Sequence, residues 1–105
     1  MKLPTLTIAA GESNYLSRQQ HTGKLDGIVI YSPATNAVAA VEVSHEPIAD
    51  AVAADFVDLH SLGSAITLPA GAATTITQLA WETLRLTGTN GNVFYVTGQE
   101  HEHLR

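Results

Sequence analysis

Five histidines, His21, His45, His60, His101 and His103, are the residues of this chain best suited to chemistry, because neutral imidazole is a common metal ligand. His101 and His103 flank Glu102, and in an extended segment both rings would share a face. A short tail rich in His and Glu is nevertheless expected to be solvated rather than to hold an ion. His45, Glu46, Asp50, Asp55, Asp58 and His60 form a second polar group around residues 47–54. Carboxylates at that density suit a hard cation such as calcium, but the spacing matches no calcium loop. The group reads instead as acidic loop edges that keep a β-rich surface soluble and its strand edges unpaired. The sequence contains no Gly-x-Ser-x-Gly elbow, Walker loop, Gly-x-Gly-x-x-Gly turn or His-Glu-x-x-His pair, and it has no cysteine. No catalytic, cofactor-binding or metal-ligating residue is therefore assigned, and a non-enzymatic protein without an obligatory cofactor is expected.

The aromatic residues Tyr15, Tyr31, Phe56, Trp81, Phe94 and Tyr95 raise a different chemistry, the stacking of sugar rings on an exposed platform. Trp81 precedes the alternating segment around Leu84 and reads as a cap on the core rather than as such a platform. Five Lys and Arg against ten Asp and Glu give a net charge of −5, and the basic residues are scattered along the chain. Binding to nucleic acid needs clustered positive charge, so that class is disfavoured. Apolar runs are far shorter than the roughly 20 residues a bilayer span requires, and residues 1–10 lack the apolar stretch of a secretory signal. No membrane partner is expected, and synthesis in the cytoplasm of the producing cell is. Charged residues make up 14% of the chain, below the roughly 25% usual for soluble domains, which points to contact with other protein or to a Thr-rich β surface.

The elements that would position these residues are short and mostly of period two. Leu6 and Ile8 alternate with Thr5 and Thr7, Val41 and Val43 with Glu42 and Ser44, and Leu84 and Leu86 with Arg85. The run from Leu25 to Tyr31, stopped by Ser32 and Pro33, reads as a strand near the core centre or buried on both sides. Phe56, Val57 and Leu59 form another strand ending by Gly63. Ile66 and Leu68 are read as pairing with the segment around Ile76 across the turn at Pro69, Ala70 and Gly71. Residues 83–87 and 93–96 are read as a second hairpin across Asn90 and Gly91. The Ala-rich residues 47–54 suit a loop with one short helical turn. About eight such strands predict an all-β, antiparallel, two-sheet, jelly-roll-like sandwich with an extended polar N-terminal arm. One domain is expected, with a strand and polar arm or loop over 1–24, a sandwich core over 25–98 and a tail over 99–105. The expected core comprises Ile28, Ile30, Val41, Val43, Ile66, Leu68, Leu84, Leu86, Phe94 and Val96. The stretch 10–24 holds only Tyr15 and Leu16 as large apolar residues, and removing residues 1–20 is expected to leave the sandwich folded.

The order of segments carries a resemblance. It runs through Gly27-Ile28-Val29-Ile30, Ser32-Pro33, Val41-Glu42-Val43-Ser44, Phe56-Val57-Asp58-Leu59, Thr67-Leu68-Pro69-Ala70-Gly71, Leu84-Arg85-Leu86 and Val96-Thr97-Gly98-Gln99. In that order the chain resembles small β-sandwich virion proteins of tailed bacteriophages. The resemblance implies a structural role in the virion and carries over no site residue. It implies docking on other virion proteins, with the major capsid protein as the expected partner and capsid decoration or cement as the expected task. A neck, tail or baseplate component is the alternative, as is a carbohydrate-binding or adhesin module displayed on a particle. Homo-oligomers are expected, with a trimer suited to three-fold lattice positions.

Overall fold

The computed structural model of the chain describes residues 2–3, 5–8, 13–33, 38–88 and 92–100. Among them lie ten strands: β1 (Leu6–Ile8), β2 (Ser13–Ser17), β3 (Leu25–Tyr31), β4 (Val38–Ser44), β5 (Val57–Asp58), β6 (His60–Ser61), β7 (Ser64–Ala65), β8 (Ala73–Ile76), β9 (Thr83–Gly88) and β10 (Asn92–Glu100). They form two four-stranded sheets, in the orders β1-β10-β3-β8 and β2-β9-β4-β5, with β6 and β7 as a separate hairpin. Every pairing is antiparallel. The first strand pairs with the last, the second with the ninth and the third with the eighth, while β4 pairs with β5. This nesting is the jelly-roll arrangement of the two-sheet sandwich expected from sequence.

Period-two alternation builds the core. In the first sheet Ile28, Ile30, Ile76, Phe94 and Val96 are buried, while Tyr31, Thr75, Val93 and Tyr95 between them are exposed. The second sheet buries Leu16, Val41, Val43, Leu84 and Leu86. The expected core residues are all buried except Ile66, which is partly buried against the others. Leu3, Leu16, Leu25, Ile76 and Trp81 join them.

Four local expectations are corrected. β3 lies near the core centre, with Ile28 and Ile30 fully buried, but it is not buried on both sides: Tyr31 is exposed and Val29 partly so, which makes it an inner strand of a one-sided sheet. Ile66 does not pair with Ile76: its amide donates to the Leu59 carbonyl at 2.8 Å, and its carbonyl accepts from the Val41 amide at 3.3 Å. Gly71, at φ 69°, then turns the chain toward the other sheet, and its amide donates to the Pro33 carbonyl at 2.9 Å. That left-handed φ is one that glycine adopts without a Cβ clash. β9 and β10 are not a hairpin, because β9 lies between β2 and β4 while β10 lies between β1 and β3. Alternation alone cannot tell these arrangements apart, since Leu84, Leu86, Phe94 and Val96 point into the core either way; Asn90 and Gly91 lie outside the described residues.

The fourth correction concerns the polar arm. Ser13–Ser17 is a full strand, registered from Ser13 opposite Thr87 to Ser17 opposite Thr83, and Leu16 and Ser17 are buried. A wide helical turn, Arg18–Thr22, follows it. The Ser17 hydroxyl accepts from the Gln20 amide at 3.1 Å and so caps that turn. Leu3 is buried as well, with its amide donating to the Val96 carbonyl at 2.9 Å. A strand poor in large apolar residues is recruited here because one inward leucine and a complete backbone ladder suffice at a sheet edge. The segment 47–54 forms the expected loop, but with two short turns in place of one: the first is closed by the Ala51 amide on the Pro47 carbonyl, and the second, Ala53–Asp55, runs one residue past the expected end.

Candidate functional site

The polar groups singled out in the sequence are dispersed by the fold. Asp55 caps its own turn, its Oδ2 accepting the Val52 amide at 2.9 Å. Asp58 stands opposite Glu42 on β5, and His45 Nε2 lies 3.2 Å from Glu46 Oε1 at the surface. No cluster of three or more His, Asp or Glu able to hold a metal occurs among the described residues. His101, Glu102 and His103 lie outside them. Trp81 is buried, and its indole Nε1 is sealed from solvent without a hydrogen-bond partner among the described residues, so it offers no platform for a sugar.

Register creates three surfaces that spacing along the chain does not reveal. On the outer face of the second sheet, Tyr15, Arg85, Glu42 and Asp58 stand in one row across β2, β9, β4 and β5. Arg85 Nε donates to Glu42 Oε1 at 3.1 Å, and its Nη2 lies 3.0 Å from the same oxygen. Phe56 folds back over this pair, with its ring centroid 4.2 Å from the guanidinium carbon and 5.9 Å from the Tyr15 ring. The guanidinium therefore has a carboxylate at its edge and an aromatic face above it, which anchors the 47–56 loop to the sheet. Ile48 and Val52 of that loop are left exposed beside it.

The second surface is an open cleft of about 540 Å³ lined by Arg18, His21, Gly23, Lys24, Leu25 and Glu82, among others. Arg18 Nη1 lies 2.7 Å from Glu82 Oε2, so most of its charge is already matched. The Ser17 amide donates to His21 Nδ1 at 2.9 Å, which selects the tautomer carrying its proton on Nε2. Burial of the ring holds the His21 pKa below its ordinary value of 6.5. Gly23 closes the turn where a Cβ would stand 2.9 Å from the Arg18 carbonyl oxygen. With Glu82 in its wall and no polar side chain sunk into it unpaired, this cleft has the chemistry of a structural corner.

The third surface is the outer face of the first sheet. Tyr95 stands opposite Tyr31, which stands opposite Ala73, and the next row is Thr97, Val29 and Thr75. These rows carry no charge of their own, and the two tyrosines are 51% and 43% exposed. Lys2 Nζ approaches the Tyr95 ring to 6.0 Å from its centroid.

The β6–β7 hairpin adds a single conspicuous side chain. Leu62 and Gly63, at φ 55° and 85°, make a two-residue turn with both central residues left-handed, the geometry that Asn-Gly ordinarily fills. Leu62 is fully exposed at its apex. Sequence reading passed over Leu62 because a lone leucine beside a glycine reads as the end of a strand. No family model, no curated protein and no solved structure matches this chain, so what it does is read from its own surfaces.

Proposed function

We propose that this chain is a non-enzymatic structural protein of a tailed-phage virion that docks on other virion subunits, with the capsid surface as its seat. The observation that carries the docking reading is Leu62. A left-handed conformation costs a residue with a Cβ about 1–2 kcal/mol, and full exposure gives the apolar side chain nothing in return. A leucine kept there at the expense of stability is suited to insertion into a partner's apolar pocket, since strained residues cluster at functional positions. The chain that follows supports the same reading, because residues 61–81 contain no charged side chain. The virion and capsid follow from the resemblance in segment order and from the frequent use of jelly rolls in capsid proteins, which is a fold-level analogy.

Leu62→Asn separates the docking role from the structural one. The variant is expected to be more stable than the parent by about 1 kcal/mol, since asparagine tolerates the left-handed region. It is also expected to be depleted from particles purified by density gradient and imaged by cryo-electron microscopy alongside a gene-deleted control. Normal incorporation of the variant would remove Leu62 from the docking mechanism, and absence of the parent protein from virions would end the virion assignment.

The exposed Tyr31–Tyr95 pair favours a second reading, a saccharide-binding module displayed on a particle. Glycan-array binding that is lost in Tyr95→Ala would select it over protein docking.

A further inference from the structure

We infer that a second copy of this chain docks along the free edge of β8, joining two first sheets into one continuous antiparallel sheet with Thr75 on the two-fold axis. This inference does not depend on the virion reading. β8 is the terminal strand of its sheet, and among the described residues no strand pairs with its outer side. The direction of its backbone groups follows from its bonds to the inner side. The Ser32 amide donates to the Ala72 carbonyl at 2.9 Å, and the Ile76 carbonyl lies over Gly27, so residues 72, 74 and 76 turn their polar groups toward β3. By the alternation of an antiparallel ladder, Ala73, Thr75 and Thr77 turn theirs outward.

Those three residues form a self-complementary edge. With Thr75 opposite Thr75 of a second copy, the two exchange both amide-to-carbonyl bonds, and Ala73 and Thr77 exchange theirs with Thr77 and Ala73 of that copy. An axis at Thr74 would pair Ala73 with Thr75 but set Thr77 against residue 71, whose amide is already given to the Pro33 carbonyl; the axis at Thr75 lets all three outward residues exchange bonds, so the bonding pattern selects Thr75. This register also keeps both sandwiches on the same side of the joined sheet, because a residue paired with its own symmetry mate shares its facing. The side chains agree with the backbone. Ala73, Thr75 and Thr77 are exposed, and cross-strand threonine pairs are favourable.

The occupant is a second copy rather than an unrelated strand because of charge. The chain carries a net charge of −5, which opposes self-association over most of its surface. The edge lies within the uncharged stretch 61–81, so two copies meet there without like charges opposed. β8 also lacks the devices that keep sheet edges apart: residues 72–78 include no lysine, proline or acidic residue. β5, the corresponding edge of the second sheet, is only two residues long and ends on Asp58. An antiparallel edge pair of this kind is two-fold, so association through β8 closes at a dimer where a lattice argument from sequence favoured a trimer.

The test is sedimentation equilibrium of the purified full chain from micromolar to millimolar concentration, with Thr75→Lys and Thr75→Glu variants. The side chain is exposed, so both variants are expected to keep the parent's circular dichroism spectrum. The parent should form a concentration-dependent dimer, and each variant alone should be monomeric because like charges would meet on the axis. An equimolar mixture of the two variants should recover dimer, since opposite charges then meet at the same point. A parent that is monomeric throughout, a trimer indifferent to both substitutions, or a dimer that both variants retain would overturn the proposal.

Discussion

At His21 the folded environment acts on a titratable group in a direction that can be tested. Burial lowers its pKa below the ordinary 6.5, so the unfolded chain takes up a proton more readily than the native one as the pH falls. The stability attached to the neutral ring is therefore complete above that ordinary value and is lost on acidification through the lowered folded value. Protonation at Nδ1 would also break the bond from the Ser17 amide, in a cleft that already holds Arg18 and Lys24 beside Glu82. The urea midpoint is expected to fall between about pH 8 and about pH 5, and His21→Gln should flatten that part of the profile relative to the parent. Parallel profiles for the two proteins would show that other groups govern it. Arg85 and Glu42 illustrate the opposite case, an ion pair whose purpose is placement: the row that aligns them also places Tyr15 where Phe56 can close over the guanidinium.

Among the elements, β2 alters the expected consequence of trimming the N-terminus. It is registered along five residues of β9 and supplies Leu16 to the core, while Leu3 runs alongside β10 of the other sheet, its amide bonded to the Val96 carbonyl, and is buried as well. Deleting residues 1–20 removes both leucines, strips β9 of one flanking strand and exposes the inner faces of Leu84 and Leu86. Loss of two fully packed leucines at about 2–5 kcal/mol each would consume most of the stability of a domain this size. The truncated chain is expected to lose its cooperative thermal transition by circular dichroism; a sharp transition near that of the parent would return this segment to the status of a detachable arm.

For the molecule as a whole, nested pairing sets the folding rate. β1 and β10 come from opposite ends of the chain, and β2 and β9 and then β3 and β8 close successively shorter loops. The short-range strand pairs, β4 with β5 and β6 with β7, are only two residue pairs long in each case. Most stabilising contacts therefore form only after long loops have closed, whose entropy must be overcome first. Refolding monitored by Trp81 fluorescence should fall in the range of roughly milliseconds to seconds, and refolding in microseconds would contradict the nested topology.

Much of this architecture was legible in the sequence because period-two alternation is a local property. Ile28 with Ile30, Val41 with Val43 and Leu84 with Leu86 declared one-sided strands, and strands that hide one face require a second sheet to cover them. Alternation carries no information about which strand lies beside which. It therefore could not separate a hairpin of β9 and β10 from their placement in opposite sheets, nor could it reveal that Tyr15, Arg85, Glu42 and Asp58 form one row. β2 escaped notice because its stability comes from pairing with β9 rather than from its own composition. The exposed features are decided by tertiary structure for the same reason: Leu62 is unusual through its conformation and isolation, Tyr31 and Tyr95 become neighbours only through register, and β8 becomes an open edge only because nothing in the described fold lies beyond it.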